Sequence, residues 1–469
     1  MKWWRTLVAL AVAAALGFLA DRLRSVPEAV ESVRAPLVQA DLIDAERVSE
    51  ILLEREGVRH RFVRTGSAWQ QVEPVAHAID GWSMRQLVSK VLKAESVRTV
   101  PLPSDLGANA RILAEAGLAP PVARIELLEE AASGAPRREL TVELGRRSLA
   151  GRAFARVLLP GELGRYHVVD AELHEFALAR DPKEFRRRDL FIDLGEVDRL
   201  SYAASGGELV LERSGRDYRI ASPVRARAER VQVEEYLDAI RRAKSAGFVA
   251  DRPMDLSVYG LDPAVATLRV DSGGVQRALL IGDAVSIGAQ DRFGLVDGTT
   301  TVIRIPAAVL APMLPRVERL VDAVASGVRS RDVGGIEIAA GPSRLSLRRE
   351  TDGWSGSVGE QGTAAGRLGR FDAKAVDGLL KALGESRAGS IELGEFPSAE
   401  SVATVTLLGF AGEPLDSVRV ARRATDGKTL FENGDGVLRL HGAIELPLSA
   451  QELGFIERGS PDAQPPANR

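Results

Sequence analysis

The sequence predicts an α+β protein. Three tandem related modules of antiparallel strands, each with an amphipathic helix, follow one N-terminal transmembrane helix. Three observations predict it. A stretch from Trp69 to Val100 recurs: Trp69-Gln70-Gln71-Val72-Glu73-Pro74-Val75, a helical pattern from Met84 to Ser96, then Val97 to Val100. At a constant offset of 149 residues the same order returns, with Tyr218 for Trp69 and Pro223-Val224 for Pro74-Val75. Tyr236, Leu237 and Ile240 then stand for Leu87, Val88 and Val91, and Ala243, Ser245 and Val249 for Ala94, Ser96 and Val100. Second, 45 Gly and 23 Pro among few aromatics imply many turns and so many short strands. Third, Thr6 to Ala20 is uncharged and lies behind Lys2 and Arg5.

The totals bound the answer. A chain of 469 residues is too long for one core and suggests about three domains. A net charge of −3 argues against a polyanion binder, so no nucleic-acid partner is expected. The absence of cysteine excludes a disulfide framework, a thiolate metal site, a Cys nucleophile and a lipid-bearing N-terminal Cys.

Residues 1–24 are read as the anchor. Fifteen helical residues span about 22 Å, short of the roughly 30 Å hydrocarbon core. Trp3 and Trp4 at the headgroup level and a snorkelling Arg5 extend the reach. The alternative is a cleaved signal peptide, which the Phe18-Leu19-Ala20 site fits badly. Either way the bulk is exported and the basic end stays inside. Residues 25–45, charged and interrupted by Pro27 and Pro36, read as a partly helical spacer.

Module one covers 46–196. Val48–Glu54 and Val58–Arg64 form a hairpin around Arg55-Glu56-Gly57, and Trp69 opens the next strand. Leu87, Val88, Val91 and Leu92 fall on one helix face. A loop leads to Gly117-Leu118-Ala119-Pro120 and the strand Ala123–Leu128. Leu140–Leu144 and Arg165–Val169 are further strands, and Ala171–Ala179 is a closing helix. Module two covers 197–330. It has a hairpin of Leu200–Ala204 and Glu208–Arg213, the strand Tyr218–Ala221 and the helix Glu229–Ser245. Gly260-Leu261-Asp262-Pro263 and Ala266–Asp271 follow, then Val275–Ile281 and a hairpin of Arg292–Val296 and Thr301–Ile305 about Asp297-Gly298. Ala307–Leu314 closes it. Module three covers 331–456 and is diverged. It has strands at Ile336–Ala339, Arg344–Arg349 and Trp354, and the helix Ala373–Leu383. Strands at Ala403–Leu408, Asp416–Ala421, Thr429–Glu432 and Val437–Leu440 complete it. Pro397-Ser398-Ala399-Glu400 replaces Gly-Leu-x-Pro. The polar, Pro-rich residues 457–469 are expected to be a disordered tail.

Several of these residues carry a resemblance. Gly260-Leu261-Asp262-Pro263, Leu280-Ile281-Gly282-Asp283, Arg292–Val296 with Asp297-Gly298, and Val302–Pro306 with its trailing helix resemble the bacterial domain-of-unknown-function family numbered forty-three-forty. The likeness is best over 197–320, looser over 46–190 and faint in the third module. It implies an N-terminal membrane helix and an exported repeat region, in an accessory protein of the envelope. Such members are often encoded beside ABC-type transport permeases and gliding-motility-type auxiliary proteins. The family offers no catalytic residue to carry over.

Chemistry is sparse along the chain. Of five histidines, only His167 and His174 cluster with Asp170 and Glu172, at a spacing that matches no named metal site, so a solvated surface is expected. Gly427-Lys428-Thr429 lacks the earlier glycine of a phosphate loop, since position 422 is Arg422, and reads as a hairpin turn. Asn433-Gly434-Asp435-Gly436 has calcium-loop composition without its acidic spacing, and reads as a turn. Arg186-Arg187-Arg188 with Lys183, and Arg225, Arg227 and Arg230, could meet anionic headgroups; a salt-paired, solvated face is the simpler reading. Trp69, Tyr218 and Trp354 recur at matched places and read as core.

No catalytic, cofactor-binding or metal-binding residue and no cofactor is therefore assigned. The expected function is a non-enzymatic, single-pass inner-membrane accessory protein with its bulk on the periplasmic side. Its expected partners are membrane lipid, through the N-terminal helix, and an ABC transporter permease or auxiliary protein. The alternative is a module binding cell-wall polysaccharide or peptidoglycan. A hydrolase with a dispersed acidic site is the third reading, and needs two inward carboxylates in one cleft.

Overall fold

Alternating apolar and polar residues place one face of each strand inward, and here they build three antiparallel sheets. The computed structural model describes residues 34–39, 41–131, 137–148, 150–159, 162–362, 366–397 and 401–458. The chain forms two compact units, Met1–Arg187 and Arg188–Arg469. The first holds one sheet and the second holds two.

The first sheet comprises β1 (Ala35–Pro36), β2 (Val48–Arg55), β3 (Val58–Thr65), β4 (Ala68–Glu73), β5 (His77–Ile79), β6 (Glu95–Pro101), β7 (Ala123–Glu129), β8 (Glu139–Arg147), β9 (Arg152–Val157) and β10 (Arg165–Asp170). Across the sheet they run β5-β4-β3-β2-β7-β8-β9-β10-β6-β1. The second comprises β11 (Val197–Ala204), β12 (Gly207–Ser214), β13 (Asp217–Ser222), β14 (Ala226–Arg227), β15 (Gly247–Asp251), β16 (Ala266–Ser272), β17 (Val275–Ala284), β18 (Arg292–Val296) and β19 (Thr301–Ile305). Their order is β14-β13-β12-β11-β16-β17-β18-β19-β15. The third comprises β20 (Gly335–Ala340), β21 (Ser343–Glu350), β22 (Gly353–Glu360), β23 (Arg367–Phe371), β24 (Ser390–Leu393), β25 (Ser401–Leu408), β26 (Pro414–Arg422), β27 (Thr429–Glu432), β28 (Val437–His441) and β29 (Ile456–Glu457). Their order is β29-β23-β22-β21-β20-β25-β26-β27-β28-β24. Every neighbouring pair is antiparallel.

The three orders follow one rule. A central strand (β2, β11 or β20) starts a meander to one edge of the sheet. The chain then crosses to the far edge and fills the space between with a second meander. The crossing needs a helix, because its backbone polar groups travel over an apolar face with no strand to pair with. That helix is α1 (Gly81–Leu92) in the first sheet. After α2 (Leu106–Glu115), its counterparts are α3 (Arg230–Arg241) and α4 (Ala373–Gly384). Asp80 and Asp372 cap α1 and α4 by accepting from backbone N–H groups of the first turn. The buried stripes are Met84, Leu87, Val88 and Val91; Val233, Tyr236, Leu237 and Ile240; and Val376, Leu379, Leu380 and Leu383. Each fully buried large side chain contributes roughly 1.5–3 kcal/mol. Trp69, Tyr218 and Trp354 sit on equivalent strands β4, β13 and β22 and are buried at 6%, 9% and 3% exposure.

Several expectations are corrected. The helix expected over Met84–Ser96 ends at Leu92, and Ser96 is a buried residue of β6. The helix expected over Glu229–Ser245 ends at Arg241. Both patterns were over-extended because the apolar period continues into the following edge strand. The loop expected after β6 contains α2, capped by Asp105, whose carboxylate accepts from Ala108 N. Strands β9 and β23 were not anticipated; Gly151 and Gly366 beside them hid short runs.

The spacer reading fails over 35–39 and 41–45. Ala35 and Pro36 pair with Ser96 and Glu95, and Leu37, Val38 and Ile43 are buried in the first core. The same device opens the second sheet. Leu37 N donates to Ala94 O at 2.8 Å, and Leu190 N donates to Ala243 O at 2.9 Å. Leu190 and Phe191 enter the second core, and Ala325 enters the third. Each core therefore begins about ten residues before its first long strand, upstream of the expected boundaries at 46, 197 and 331. Glu457, placed in the tail, pairs with Gly369. Among the described residues no helix is long and apolar enough to cross a membrane. The apolar stretch Thr6–Ala20 and most of the expected tail lie outside the described residues.

Candidate functional surface

The sequence motif Gly-Leu-x-Pro builds one local object twice. In the first unit α2 ends, Gly117 turns with φ +69°, and β7 begins; in the second, the short helix Ser257–Tyr259 ends, Gly260 turns with φ +64°, and β16 begins. Leu118 N donates to Leu113 O at 2.7 Å, and Leu261 N to Leu256 O at 3.1 Å. Val122 N donates to Gly117 O at 3.2 Å, and Val265 N to Gly260 O at 3.3 Å.

A second glycine admits the turn. A Cβ on Gly145 would lie 2.3 Å from Ala116 O, and one on Gly282 would lie 2.1 Å from Tyr259 O. Only glycine lets the turn backbone approach the strand this closely.

Each turn packs a small apolar cluster on the sheet face opposite the crossing helix. In the first sheet this cluster is Leu113, Ala116 and Leu118 with Leu102, Phe154 and Tyr166. In the second it is Leu261, Leu295 and Val302 with Leu256, Tyr259, Leu280 and Phe293. Ala153 and Ala155 face the main core while Phe154 joins the satellite, as the two-residue period of a strand requires. Tyr259 meets Phe293 edge to face at 5.0 Å, which fixes the turn on its strand. In the third sheet Phe396 takes this place, over Ala421, Leu430, Leu438 and Leu440, with the Arg419 guanidinium 4.8 Å above its ring.

The rigid turns carry exposed apolar side chains. Met254 is 105% exposed, Val258 67%, and Ile287, on the loop after β17, 107%. Leu106 and Val122 are the exposed apolar residues beside the first turn.

The two turns differ in charge. The side chain that crosses over the turn glycine is Arg146 in the first and Asp283 in the second: a Cβ would meet its Cγ at 2.5 Å in both. Ala119 corresponds to Asp262. Arg111 and Arg146 lie at the first turn with Glu115; Asp255, Asp262 and Asp283 lie at the second. The side chains of Arg146, Asp262 and Asp283 have no ion-pair partner among the described residues. The sequence marks Leu280-Ile281-Gly282-Asp283 as a motif, but not the opposite signs that follow Gly145 and Gly282.

The residues screened for chemistry take structural places. His167 and His174 are buried, at 6% and 0% exposure, which corrects the solvated reading. His167 Nδ1 lies 3.1 Å from Ser96 Oγ and 3.2 Å from Thr99 Oγ1. His174 Nε2 lies 2.9 Å from Phe154 O. Asp170 pairs with Arg152, and Glu172 with Lys90. Among the described residues no three or more His, Asp or Glu are grouped to hold a metal ion. Gly427 turns with φ +70° between β26 and β27, where Asp426 pairs with Arg423. Asp435, in the Asn433–Gly436 turn, pairs with Arg439. Arg186 is also corrected: it is buried, and its Nε donates to Gln71 Oε1 at 3.0 Å. Arg227 binds Asp322 at 3.1 Å, Arg230 lies 3.9 Å from Asp217, and Arg225 is exposed.

Burial has a pH consequence. It pushes the imidazoles of His174 and His441 down to about 4, with the Arg439 charge adding to the effect at His441, and lowers His167 as well. The folded state prefers the neutral ring, while the unfolded chain binds protons below about 6.5. The stabilising preference is complete above pH 6.5 and is lost as pH falls from there toward 4. Each of His174 and His441 is expected to remove about 2 kcal/mol between pH 7 and pH 5. Urea midpoints of the wild type and His441→Phe check this; equal losses in both would contradict it.

A family profile described as Domain of unknown function (DUF4340) matches residues 218–407, from β13 to β25. None of the curated proteins matches the chain in sequence. Among solved structures the chain is similar to a DNA polymerase sliding clamp from Pseudomonas aeruginosa, at 7% identity and TM-score 0.14, over 86% of this chain and 93% of that one. It is also similar to DNA polymerase III subunit beta from Borrelia burgdorferi, at 7% identity and TM-score 0.13, over 88% and 94%. A third is a DNA polymerase III beta subunit from Eubacterium rectale, at 7% identity and TM-score 0.14, over 86% and 93%. Likenesses at these scores carry no inference about fold or function.

Proposed function

We propose, from the premise that residues 218–407 of this chain belong to the DUF4340 family, that the protein is a membrane-anchored exported accessory without catalytic activity, built from three related modules. Its partner is an ABC-type transporter or another envelope complex. The module reading is supported by the strand order that all three sheets share and by the 149-residue offset of the first two. The anchor reading rests on the sequence of residues 1–24.

The observation that carries the binding role is the Gly260 turn. Its satellite cluster, ring contact and close glycine approach support a turn on which Met254 is fully exposed and Val258 is 67% exposed. Exposed apolar side chains on a preorganised support favour docking to protein, since little ordering entropy remains to be lost. Photocrosslinkers at Met254 and Val258 in full-length protein in native membranes, read by mass spectrometry, test the role. An envelope protein captured from both positions is the expected result; capture of nothing beyond the chain itself would remove the reading. A carbonate wash tests the anchor, and release of full-length protein would exclude it.

A second reading has its own observation. The open face of the third sheet holds a trough of about 630 Å³ lined by Ser346, Ser357, Thr404, Thr406 and Glu337. Hydroxyl and carboxylate groups in register across strands β22, β21, β20 and β25 suit a polyhydroxylated cell-wall chain. Retention on isolated cell wall that Glu337→Ala abolishes is the result this reading requires.

A further inference from the structure

We propose that the chain associates head to tail, the basic Gly117 turn of one copy docking on the acidic Gly260 turn of a second copy. This rests on the reading of the turns as docking surfaces, and it names one occupant. The two turns share a backbone: the same glycine conformation, the same pair of closing hydrogen bonds and the same underlying glycine on the adjacent strand. Against that common frame the charges are opposed. Arg146 occupies the place of Asp283, and Ala119 that of Asp262. Glu115, the one acid on the basic turn, corresponds to the apolar Val258.

Turns built for packing alone would not need opposite signs on one frame. Neither Arg146 nor Asp283 has an ion-pair partner among the described residues, so both charges are available to another molecule. Val122 and Val265, exposed at 41% and 45% beside the two turns, supply apolar area to the joint, which borders Val258. Charge complementarity sets the register and excludes like-with-like pairing, while the apolar side chains hold the contact. Such a joint uses different surfaces on the two copies. It is therefore heterologous and leads to rings or open chains rather than closed dimers. Confinement of copies to one surface would raise their effective concentration and compensate for a small contact.

The chain has no cysteine, so engineered cysteines report without background. Two differently tagged full-length copies are co-expressed, one with Ala114→Cys at the basic turn and the other with Val258→Cys at the acidic turn. Oxidation in native membranes is expected to join them, about tenfold more than two copies carrying the same cysteine. Arg146→Asp on the first copy is expected to lower the yield about tenfold, and Asp283→Arg on the second to restore it. A melting temperature for each variant confirms that it folds. Absence of the mixed disulfide, a yield indifferent to Arg146→Asp, or a loss that Asp283→Arg does not restore would each overturn the proposal. Capture of another envelope protein at Val258 without the mixed disulfide leaves the accessory reading intact and removes this one. The mixed disulfide without any such capture does the reverse.

Discussion

Leu237→Asp is expected to abolish the cooperative melting of the Arg188–Arg469 unit. Leu237 has 0% exposure on the inward stripe of α3 and belongs to the core that joins α3 to the second sheet, with Leu200, Leu211, Leu268 and Leu279. Deleting its side chain alone costs about 2–5 kcal/mol through lost burial and the cavity left behind. An aspartate adds a carboxylate with no cationic partner in an apolar cluster, at several kcal/mol more. The sum reaches the usual total stability of a domain, about 5–15 kcal/mol. The same helix supplies the control. Val231 is 59% exposed, so Val231→Asp should change stability by no more than about 0.5 kcal/mol. Leu237→Ala should fall between the two. Thermal unfolding followed by circular dichroism ranks them. An unchanged midpoint for Leu237→Asp would mean that α3 does not cover the sheet.

How far such positions could be read from sequence depends on the range of the forces that fix them. The crossing helices were legible because Leu87, Val88 and Val91, and Tyr236, Leu237 and Ile240, repeat with the helical period and face one core. The hairpins were legible because Gly57 and Gly298 must turn within a few residues. The helix ends were not. Ser96 and Ser245 lie in pairing fixed by residues far away, Ser96 by Ala35 and Val169 and Ser245 by Arg188. Nothing local to these serines signals it.

The opening segments 35–43 and 188–191 were hidden for the same reason. The first reads as spacer and the second as the end of module one, because their partners lie some fifty to sixty residues downstream. Buried polar residues were the hardest to place. His174 and Arg186 are charge-bearing types, and only the fold turns them inward toward Phe154 O and Gln71. The docking turns were half legible. The motif announced a turn, but the opposition of Arg146 and Asp283 needs the strand that passes beneath each glycine.

Arg439→Ala is expected to loosen the third sheet from the second. Arg439 lies on β28 with 0% exposure, and Val437, two residues earlier, is buried in the core beneath the second sheet. Its guanidinium donates to both Asp435 oxygens, at 2.6 Å and 3.3 Å, and its Nε donates to Asp322 O at 2.9 Å. The Asp322 carboxylate also accepts from Arg227 Nε of the second sheet at 3.1 Å, so two arginines, Arg439 and Arg227, meet at the chain entering the third sheet and tie it to the edge of the second. Truncation leaves a carboxylate and a carbonyl facing a void, a loss of about 3–5 kcal/mol. The pair is costly to break, not to replace. Arg439→Met combined with Asp435→Leu removes both charges at similar volume and should recover most of the loss. Calorimetry should show the single transition of the Arg188–Arg469 unit divide in Arg439→Ala, with new protease cleavage between Asp322 and Val333, and merge again in the double variant. One undivided transition at the wild-type temperature would show that the seam is held by Val437 and its apolar neighbours alone, and that the buried ion pair only aligns it.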